Sequence, residues 1–149
     1  MFLKENIMQI IIGSDHGGFD LKEACRAHLK TLPNLEVTDA GVFSPDSVDY
    51  PKVAHEVAKA IFDDTFERGI LICGTGLGMS IVANRYRGVR AALCHNLFTT
   101  RLSRQHNDSN ILVMGGRVLG VGLALEMVDL FLETPFDGGR HQLRLNQID

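Results

Sequence analysis

The strongest chemical signal in the sequence is a cysteine followed by three closely spaced glycines: residues 73–78 read Cys-Gly-Thr-Gly-Leu-Gly. Such glycines let backbone N–H groups converge ahead of a predicted helix, an arrangement that can bind an anion. The alternative is a plain turn between a strand and a helix. Cys73 would act there as a base or nucleophile, or equally be a small buried hydrophobic residue. Two other interpretations fail. Met79 stands where a dinucleotide fingerprint needs its last glycine, and the first arginine after Cys73 is Arg85, too late for a cysteine phosphatase loop.

Two further clusters combine acids, imidazoles and amides. Asp15 and His16 follow the first predicted strand and suit sugar hydroxyls or a phosphate, although Asp15 would equally cap the next helix. Residues 106–108, His-Asn-Asp, are typical of a polar turn. Since this turn precedes a strand, we expect it at the opposite sheet edge from Cys73. A catalytic His106 would therefore reach the site of a neighbouring subunit.

A third candidate cluster lies near the end of the sequence. Arg140 and Arg144 are four residues apart and share one face of a predicted helix. Two guanidinium groups on one face suit a phosphate, and a solvated basic face is the equal alternative. The histidines and cysteines show no close ligand spacing, so the sequence predicts no metal site.

Secondary-structure elements must position these residues, and the hydrophobic pattern predicts that strands and helices alternate along the chain. Apolar runs predict five strands, at residues 7–12, 35–38, 69–73, 89–94 and 111–114. Helical spacing predicts helices at residues 19–32, 51–61, 79–84, 99–106, 124–132 and 140–148. The alternation predicts an α/β fold of three layers, a Rossmann-like five-stranded parallel sheet with helices on both faces. Ligands of such sheets bind at the carboxyl ends of the strands.

Length and charge exclude several classes. The 149 residues predict a single domain, residues 1–149, and 15 Lys+Arg against 18 Asp+Glu give a net charge of −3. This balance argues against nucleic acid or an anionic membrane as partner. No apolar run approaches the ~20 residues of a membrane span, and residues 1–9 do not resemble a signal peptide. Three cysteines, an odd number, favour reduced thiols in a cytoplasmic protein.

Five segments carry a resemblance to a known family: Gly-Ser-Asp-His-Gly-Gly at residues 13–18, Asp-Tyr-Pro at 49–51, residues 69–78, Ser-Arg-Gln-His-Asn-Asp at 103–108, and Gly-Gly-Arg-His-Gln at 138–142. In these segments the chain resembles the type B ribose-5-phosphate isomerases, a family that includes galactose-6-phosphate and allose-6-phosphate isomerases. The motifs occur in the family's order and spacing from residue 10 to residue 147.

The resemblance implies an aldose–ketose isomerase that interconverts ribose 5-phosphate and ribulose 5-phosphate through ring opening and a cis-enediol intermediate, with no metal or cofactor. Cys73 matches the base that moves a proton between C1 and C2. Some members use a glutamate six residues later, where this chain has Met79. The enediolate oxygens would be held by Thr75 and by the backbone of residues 74–80, which include Gly74, Gly76, Gly78 and Ser80.

The resemblance assigns the remaining polar residues as well. His106 matches the acid/base that opens the sugar ring, and Asp15 matches a contact to the ring end of the sugar. Substrate contacts fall on Asp49, Tyr50 and Asn107, and a phosphate clamp falls on His16, Arg117, Arg140 and Arg144. Family members are homodimers or dimers of dimers with shared active sites, and the last helix would pack on a partner subunit.

Three alternatives stay open at this point. The substrate could be a six-carbon aldose 6-phosphate, such as allose or galactose 6-phosphate. The chain could instead be a nucleotide-binding module without chemistry, or a non-catalytic partner subunit. The presence of Cys73, Thr75 and His106 in one chain disfavours the last of these.

Overall fold

Five parallel strands form the centre of the computed structural model, which describes residues 6–149. The strands are β1 (Met8–Ser14), β2 (Leu35–Asp39), β3 (Arg68–Cys73), β4 (Ala91–Leu93) and β5 (Ile111–Gly115). Their order across the sheet is β2-β1-β3-β5-β4, and every neighbouring pair is parallel. The predicted Rossmann-like sheet is confirmed. Residues 1–5, part of the segment examined for a signal peptide, lie outside the described residues.

Within residues 6–149, six helices connect or follow the strands. They are α1 (Phe19–Leu29), α2 (Tyr50–Phe62), α3 (Leu77–Ala83), α4 (Leu97–Gln105), α5 (Val121–Glu133) and α6 (Arg140–Leu145), and a 3₁₀ turn, His16–Gly18, precedes α1. Helices α1 and α5 cover one face of the sheet, and α2 and α3 cover the other. The predicted three layers are therefore present.

The central strands are buried on both sides, which explains their uninterrupted apolar sequences. In β3, Ile70 and Ile72 face the α1–α5 side while Leu71 and Cys73 face the α2–α3 side, because side chains alternate along a strand. Phe131 of α5 packs on the first of these faces and is fully buried. The sheet is thus a rigid base whose strand ends hold the candidate residues in place.

Several predicted element boundaries were wrong. The first helix ends at Leu29 rather than at residue 32, since the N–H groups of Thr31 and Leu32 bond three residues back in a tighter turn. β4 is shorter than predicted and starts after a turn in which the Val89 N–H bonds the Tyr86 carbonyl. The last helix ends at Leu145 rather than at residue 148.

One glycine brings the first loop onto the end of β3. A Cβ atom at Gly18 would lie 2.4 Å from the Ile72 carbonyl oxygen, a distance that real Cβ atoms do not show. Glycine is therefore required where α1 begins. The close approach places the segment after β1 against the strand that ends in Cys73.

A buried lysine ties α1 to the chain that leaves β2. Lys22 is fully buried, and its Nζ donates to both carboxylate oxygens of Asp39, at 2.9 and 2.8 Å, and to the Val42 carbonyl at 2.6 Å. The Asp39 carboxylate also accepts from the Gly41 N–H at 2.8 Å. These bonds fix the start of the loop of residues 40–48, which lines a cavity of about 400 Å³.

Among residues 6–149, no helix has the length and apolar character needed to cross a bilayer.

Candidate functional site

Cys73 is the last residue of β3 and lies at the carboxyl edge of the sheet, as the sequence predicted. Its side chain is 5% exposed, and its Sγ accepts a hydrogen bond from the Gly76 N–H at 3.1 Å. Gly76 has φ 83°, a left-handed conformation that glycine adopts without steric cost. The loop therefore folds back on the cysteine and points a backbone donor at the sulfur.

The segment after β1 lies beside this loop. Asp15 is buried, and its Oδ1 accepts from the Gly18 N–H at 3.1 Å, so the capping role considered for it is present. Nδ1 of His16 accepts from the Val48 N–H at 3.2 Å. Because Nδ1 accepts, the proton of a neutral His16 ring sits on Nε2, which makes that nitrogen a donor to a ligand.

Two side chains approach the glycine loop closely. A Cβ at Gly78 would lie 2.5 Å from Cζ of Tyr50, so the phenol ring at the start of α2 rests directly on the loop. A Cβ at Gly74 would lie 3.4 Å from Nη1 of Arg117, so this exposed arginine lies over the same loop from the chain after β5. A phenol and a guanidinium group therefore face the backbone around Cys73.

The hydroxyl groups of Thr75 and Ser80 form hydrogen bonds with the backbone at the start of α3. Oγ1 of Thr75 accepts from the Leu77 N–H at 3.3 Å, and Oγ of Ser80 donates to the Leu77 carbonyl at 2.7 Å. Asp49 directly precedes α2, and its side chain makes no capping hydrogen bond there. The structure thus brings one set of predicted residues to the carboxyl edge: Asp15, His16, Asp49, Tyr50, Cys73, Gly74, Thr75, Gly76, Gly78, Ser80 and Arg117.

A second set lies at the opposite edge. His106 directly follows α4, and the exposed Asn107 comes next, ahead of β5. Arg140 and Arg144 are exposed on α6, whose His141 ring stacks on His106 with centroids 4.1 Å apart and planes 10° apart. The predicted location of His106 at the other sheet edge is confirmed.

The two sets do not meet within one chain. β5 runs between them, and its five residues span about 16 Å at ~3.3 Å per residue. Cys73 pairs with Gly115 at the far end of β5, whereas His106 precedes the near end at Ile111. The fold of one chain therefore separates the candidate base from the candidate ring-opening residue.

One group of potential metal ligands comes together only through folding. His106, Asp137 and His141 each offer an atom within 4.8 Å of the others, which the sequence spacing did not indicate. An imidazole binds a metal in its own ring plane. Because the two stacked rings lie in nearly parallel planes, one ion cannot occupy both planes, and this arrangement is a ring stack rather than a metal site.

The other two thiols have a different environment. Burial raises the pKa of the Cys25 thiol to about 12 and also raises the pKa of Cys94. Both side chains belong to the core on the α1–α5 face. These thiols remain protonated at neutral pH, and their assignment as core residues is confirmed.

His141 and Val48 were missed by the sequence reasoning. His141 lies in the Gly-Gly-Arg-His-Gln segment, so that motif was the available signal, but nothing in the spacing shows its contact with His106. No feature of the sequence marks the Val48 N–H as a donor to His16, because every residue except proline has a backbone N–H.

The sequence of this chain matches those of known sugar-phosphate isomerases. The family model described as Ribose/Galactose Isomerase matches residues 10–148. Ribose-5-phosphate isomerase B of Escherichia coli (strain K12) is 46% identical over 140 residues, which cover 94% of this chain and 93% of that protein. D-erythrulose-4-phosphate isomerase of Pectobacterium atrosepticum is 38% identical over 144 residues, 95% of this chain and 93% of that protein.

A solved structure agrees in fold as well. The crystal structure of a ribose 5-phosphate isomerase from Thermotoga maritima superposes with a TM-score of 0.92 and 53% identity, over 95% of this chain and 97% of that one. Since the match extends over nearly the whole length of both chains, it includes both sheet edges. The chain therefore belongs to the ribose/galactose isomerase family, and the protein is an isomerase.

Proposed function

We propose that the protein interconverts ribose 5-phosphate and ribulose 5-phosphate, with Cys73 as the base. The single observation that carries the proposal is the position of Cys73, at the end of β3 with the Gly76 N–H directed at its sulfur. This N–H holds the sulfur at the strand end, and the thiolate is the form of a cysteine that can remove a proton. The names of the relatives in Escherichia coli and Thermotoga maritima support the choice of substrate.

The first step opens the furanose ring, and His106 is its acid and base. The C1–O4 bond breaks, the proton of the C1 hydroxyl leaves, and O4 gains a proton. One imidazole can accept the first proton and deliver the second, because a ring nitrogen serves as acceptor when neutral and as donor once protonated. The product is the open-chain aldehyde that the next step requires.

The second step moves a proton from C2 to C1. The Cys73 thiolate removes the C2 proton, and negative charge develops on O1 of the resulting cis-enediolate. Backbone N–H groups of the glycine loop and Thr75 stabilise that charge. The proton returns to C1, and the O2 hydroxyl proton passes to O1, which leaves a C2 ketone. Apart from cleavage of the C1–O4 bond in ring opening, every step is a proton transfer, and these side chains can perform all of them without a metal or a cofactor.

The phosphate and the rest of the sugar are held by the remaining candidate residues. His16 and Arg117 from the carboxyl edge and Arg140 and Arg144 from the other edge form the phosphate clamp, while Asp15, Asp49, Tyr50 and Asn107 contact the sugar. Since the two edges lie about 16 Å apart in one chain, each working site takes one edge from each of two copies. The protein acts as a homodimer or a dimer of dimers with shared sites.

Initial rates on a substrate panel test this function. The purified protein is given ribose 5-phosphate, erythrulose 4-phosphate, allose 6-phosphate and galactose 6-phosphate, each with and without EDTA. We expect the highest kcat/KM for ribose 5-phosphate and no effect of EDTA. No turnover of any sugar phosphate overturns the isomerase assignment to this site, and a loss of turnover with EDTA overturns the metal-free mechanism.

Cys73→Ala and a matched control test the base. We expect Cys73→Ala to lower kcat by about 1000-fold, because general-base catalysis contributes 10²–10⁴-fold. Cys25→Ala, a thiol removed from the core, should retain kcat once its folding is verified. Equal kcat for Cys73→Ala and the unaltered protein overturns the role of Cys73.

A second substrate has one observation in its favour. The Pectobacterium atrosepticum relative is named for erythrulose 4-phosphate, and its similarity to this chain covers 93% of that protein and 95% of this chain. A four-carbon substrate needs the proton transfer of Cys73 but has no furanose ring to open, since its C4 oxygen carries the phosphate. A higher kcat/KM for erythrulose 4-phosphate in the panel would replace ribose 5-phosphate by this substrate.

A further inference from the structure

The ring stack of His106 and His141 is the starting observation. The centroids of the two imidazoles lie 4.1 Å apart and their planes differ by 10°. His141 is 7% exposed and occupies the first turn of α6, whereas His106 directly follows α4. Backbone contacts fix this arrangement, because the Asp137 N–H donates to the Gln105 carbonyl at 3.0 Å and the His141 N–H donates to the Gly138 carbonyl at 3.0 Å.

The charges around the stack favour a neutral His141. Burial is the largest cause that lowers the pKa of His141, and the positive charges of Arg140 and Arg144 on α6 lower it further. The groups that face it are His106, Arg140 and Arg144, which lower the pKa, and Asp137, which raises it. Asp108 follows His106 but is already bonded by Arg104 at 2.8 Å. Burial and the neighbouring arginines therefore keep the His141 ring in its neutral form.

We propose that His141 is a positioning residue for His106: its ring, stacked at 4.1 Å on the His106 ring, holds that ring in one plane. A flat neutral ring on one face prevents rotation of the His106 side chain about its χ2 bond. Misplacement of a catalytic group by about 1 Å can lower the rate as much as 100-fold, so loss of the fixed ring plane should lower the rate measurably. The proposal rests on the proposed role of His106 in ring opening.

The chemistry of the two substrates allows this role to be measured separately from general damage. Ribose 5-phosphate is mostly a closed furanose, and its turnover needs ring opening. Ribulose 5-phosphate is an open chain, because its C5 oxygen carries the phosphate and its C4 hydroxyl is too close to the C2 ketone to form a ring of low strain. From the ketose side, the Cys73 step produces the open-chain aldehyde, which can leave and close in solution. Loss of ring opening therefore slows consumption of the aldose more than consumption of the ketose.

Initial rates in both directions with three variants test the proposal. His141→Ala removes the stack, His141→Phe keeps a flat uncharged ring, and Gln142→Ala changes the next, exposed residue as a control. For His141→Ala we expect kcat with ribose 5-phosphate to fall about tenfold and kcat with ribulose 5-phosphate to change less than about twofold. His141→Phe should recover most of the lost rate, and Gln142→Ala should retain both rates.

Two results would overturn the role of His141. One is an equal fall of both rates for His141→Ala, which indicates a structural role, and the other is no fall in either rate. Ring-proton nuclear magnetic resonance gives a readout independent of activity: we expect the ring protons of His106 to lose their stacking shift in His141→Ala and to keep one in His141→Phe. If His141→Ala does not fold, the test uses His141→Phe alone. A retained stacking shift of the His106 ring protons in His141→Phe then confirms the stack. Failure of His141→Phe to turn over ribose 5-phosphate overturns the proposal.

His106→Ala separates this proposal from the proposed function. If His106→Ala slows ribose 5-phosphate more than ribulose 5-phosphate and His141→Ala does not, the role of His141 fails while the function stands. If His106→Ala slows both substrates equally, the ring-opening role of His106 itself is wrong. If the unaltered protein turns over neither sugar, the proposed function fails, independent of the stack.

Discussion

At the scale of single residues, the three cysteines show how the fold gives one residue type different chemistry. Cys25 and Cys94 face the apolar core, where burial raises the pKa of each thiol. Cys73 lies at a strand end, and its sulfur accepts a hydrogen bond from the backbone. Their side chains differ little in exposure, at 0%, 2% and 5%, so the difference lies in the groups around each sulfur.

Selective alkylation is the prediction at this scale. At pH 7.5, iodoacetamide should modify Cys73 at least tenfold faster than Cys25 or Cys94, because only the thiolate reacts and the two core thiols remain protonated. Ribose 5-phosphate should slow the modification of Cys73. Peptide mass spectrometry after timed quenching measures the three rates in one sample. Faster modification of Cys25 or Cys94 in the folded protein would contradict the prediction.

Sequence alone located the candidate residues on the chain but not all of their contacts. Cys73 could be assigned to a strand end because an apolar run stops there at a glycine loop. The stack of His141 on His106 and the bond from Val48 to His16 could not be predicted, because each joins residues that are far apart in the sequence and meet only after folding.

At the scale of elements, the order of strands and helices followed from periodicity, whereas their ends did not. Apolar runs distinguish β1, β3 and β5 because both faces of these strands are covered. The end of α1 at Leu29 depends on a change from four-residue to three-residue hydrogen bonds, which the apolar pattern through Leu32 does not reveal. Boundary errors of a few residues therefore left the placement of the site intact.

Lys22 connects α1 to the chain that leaves β2, and the prediction at this scale concerns the stability that this contact contributes. We expect Lys22→Met to lower the free energy of unfolding by about 3 kcal/mol, because it leaves the Asp39 carboxylate without its buried partner. Urea unfolding followed by circular dichroism measures the change.

A matched variant at the residue directly after α1 controls for the loss of a lysine. Lys30→Met, at an exposed position, should change the free energy of unfolding by less than about 0.5 kcal/mol. An equal effect of both substitutions would show that the Lys22–Asp39 contact contributes nothing specific.

At the scale of the whole molecule, the sheet places the two sets of candidate residues at opposite edges. Cys73 ends β3, and His106 lies ahead of β5. Sequence reasoning could predict this separation, because in a parallel sheet the residues after strands and those before strands lie at opposite edges. Which copy supplies Arg140 and Arg144 could not be predicted, since it depends on how two chains pack.

Complementation between two inactive variants is the prediction at this scale. Cys73→Ala and His106→Ala proteins, mixed under conditions of subunit exchange, should regain about a quarter of the activity of the unaltered protein, because half of the dimers become hybrids with one intact site. The measurement is ribose 5-phosphate turnover, with native mass spectrometry to verify exchange. Exchange without recovered activity would mean that both residues serve the site of one subunit.

The same two-edged sheet has a consequence for inheritance in a cell that carries two copies of the gene. In the proposed shared-site dimer, a chain that lacks only Cys73 would still supply its His106 to a normal partner, so the hybrid would keep one active site. A chain that lacks both residues spoils both sites of every hybrid it enters. With equal synthesis, only about a quarter of the dimers then remain active. In the proposed shared-site dimer, the double variant is therefore a dominant-negative allele, whereas either single variant is not.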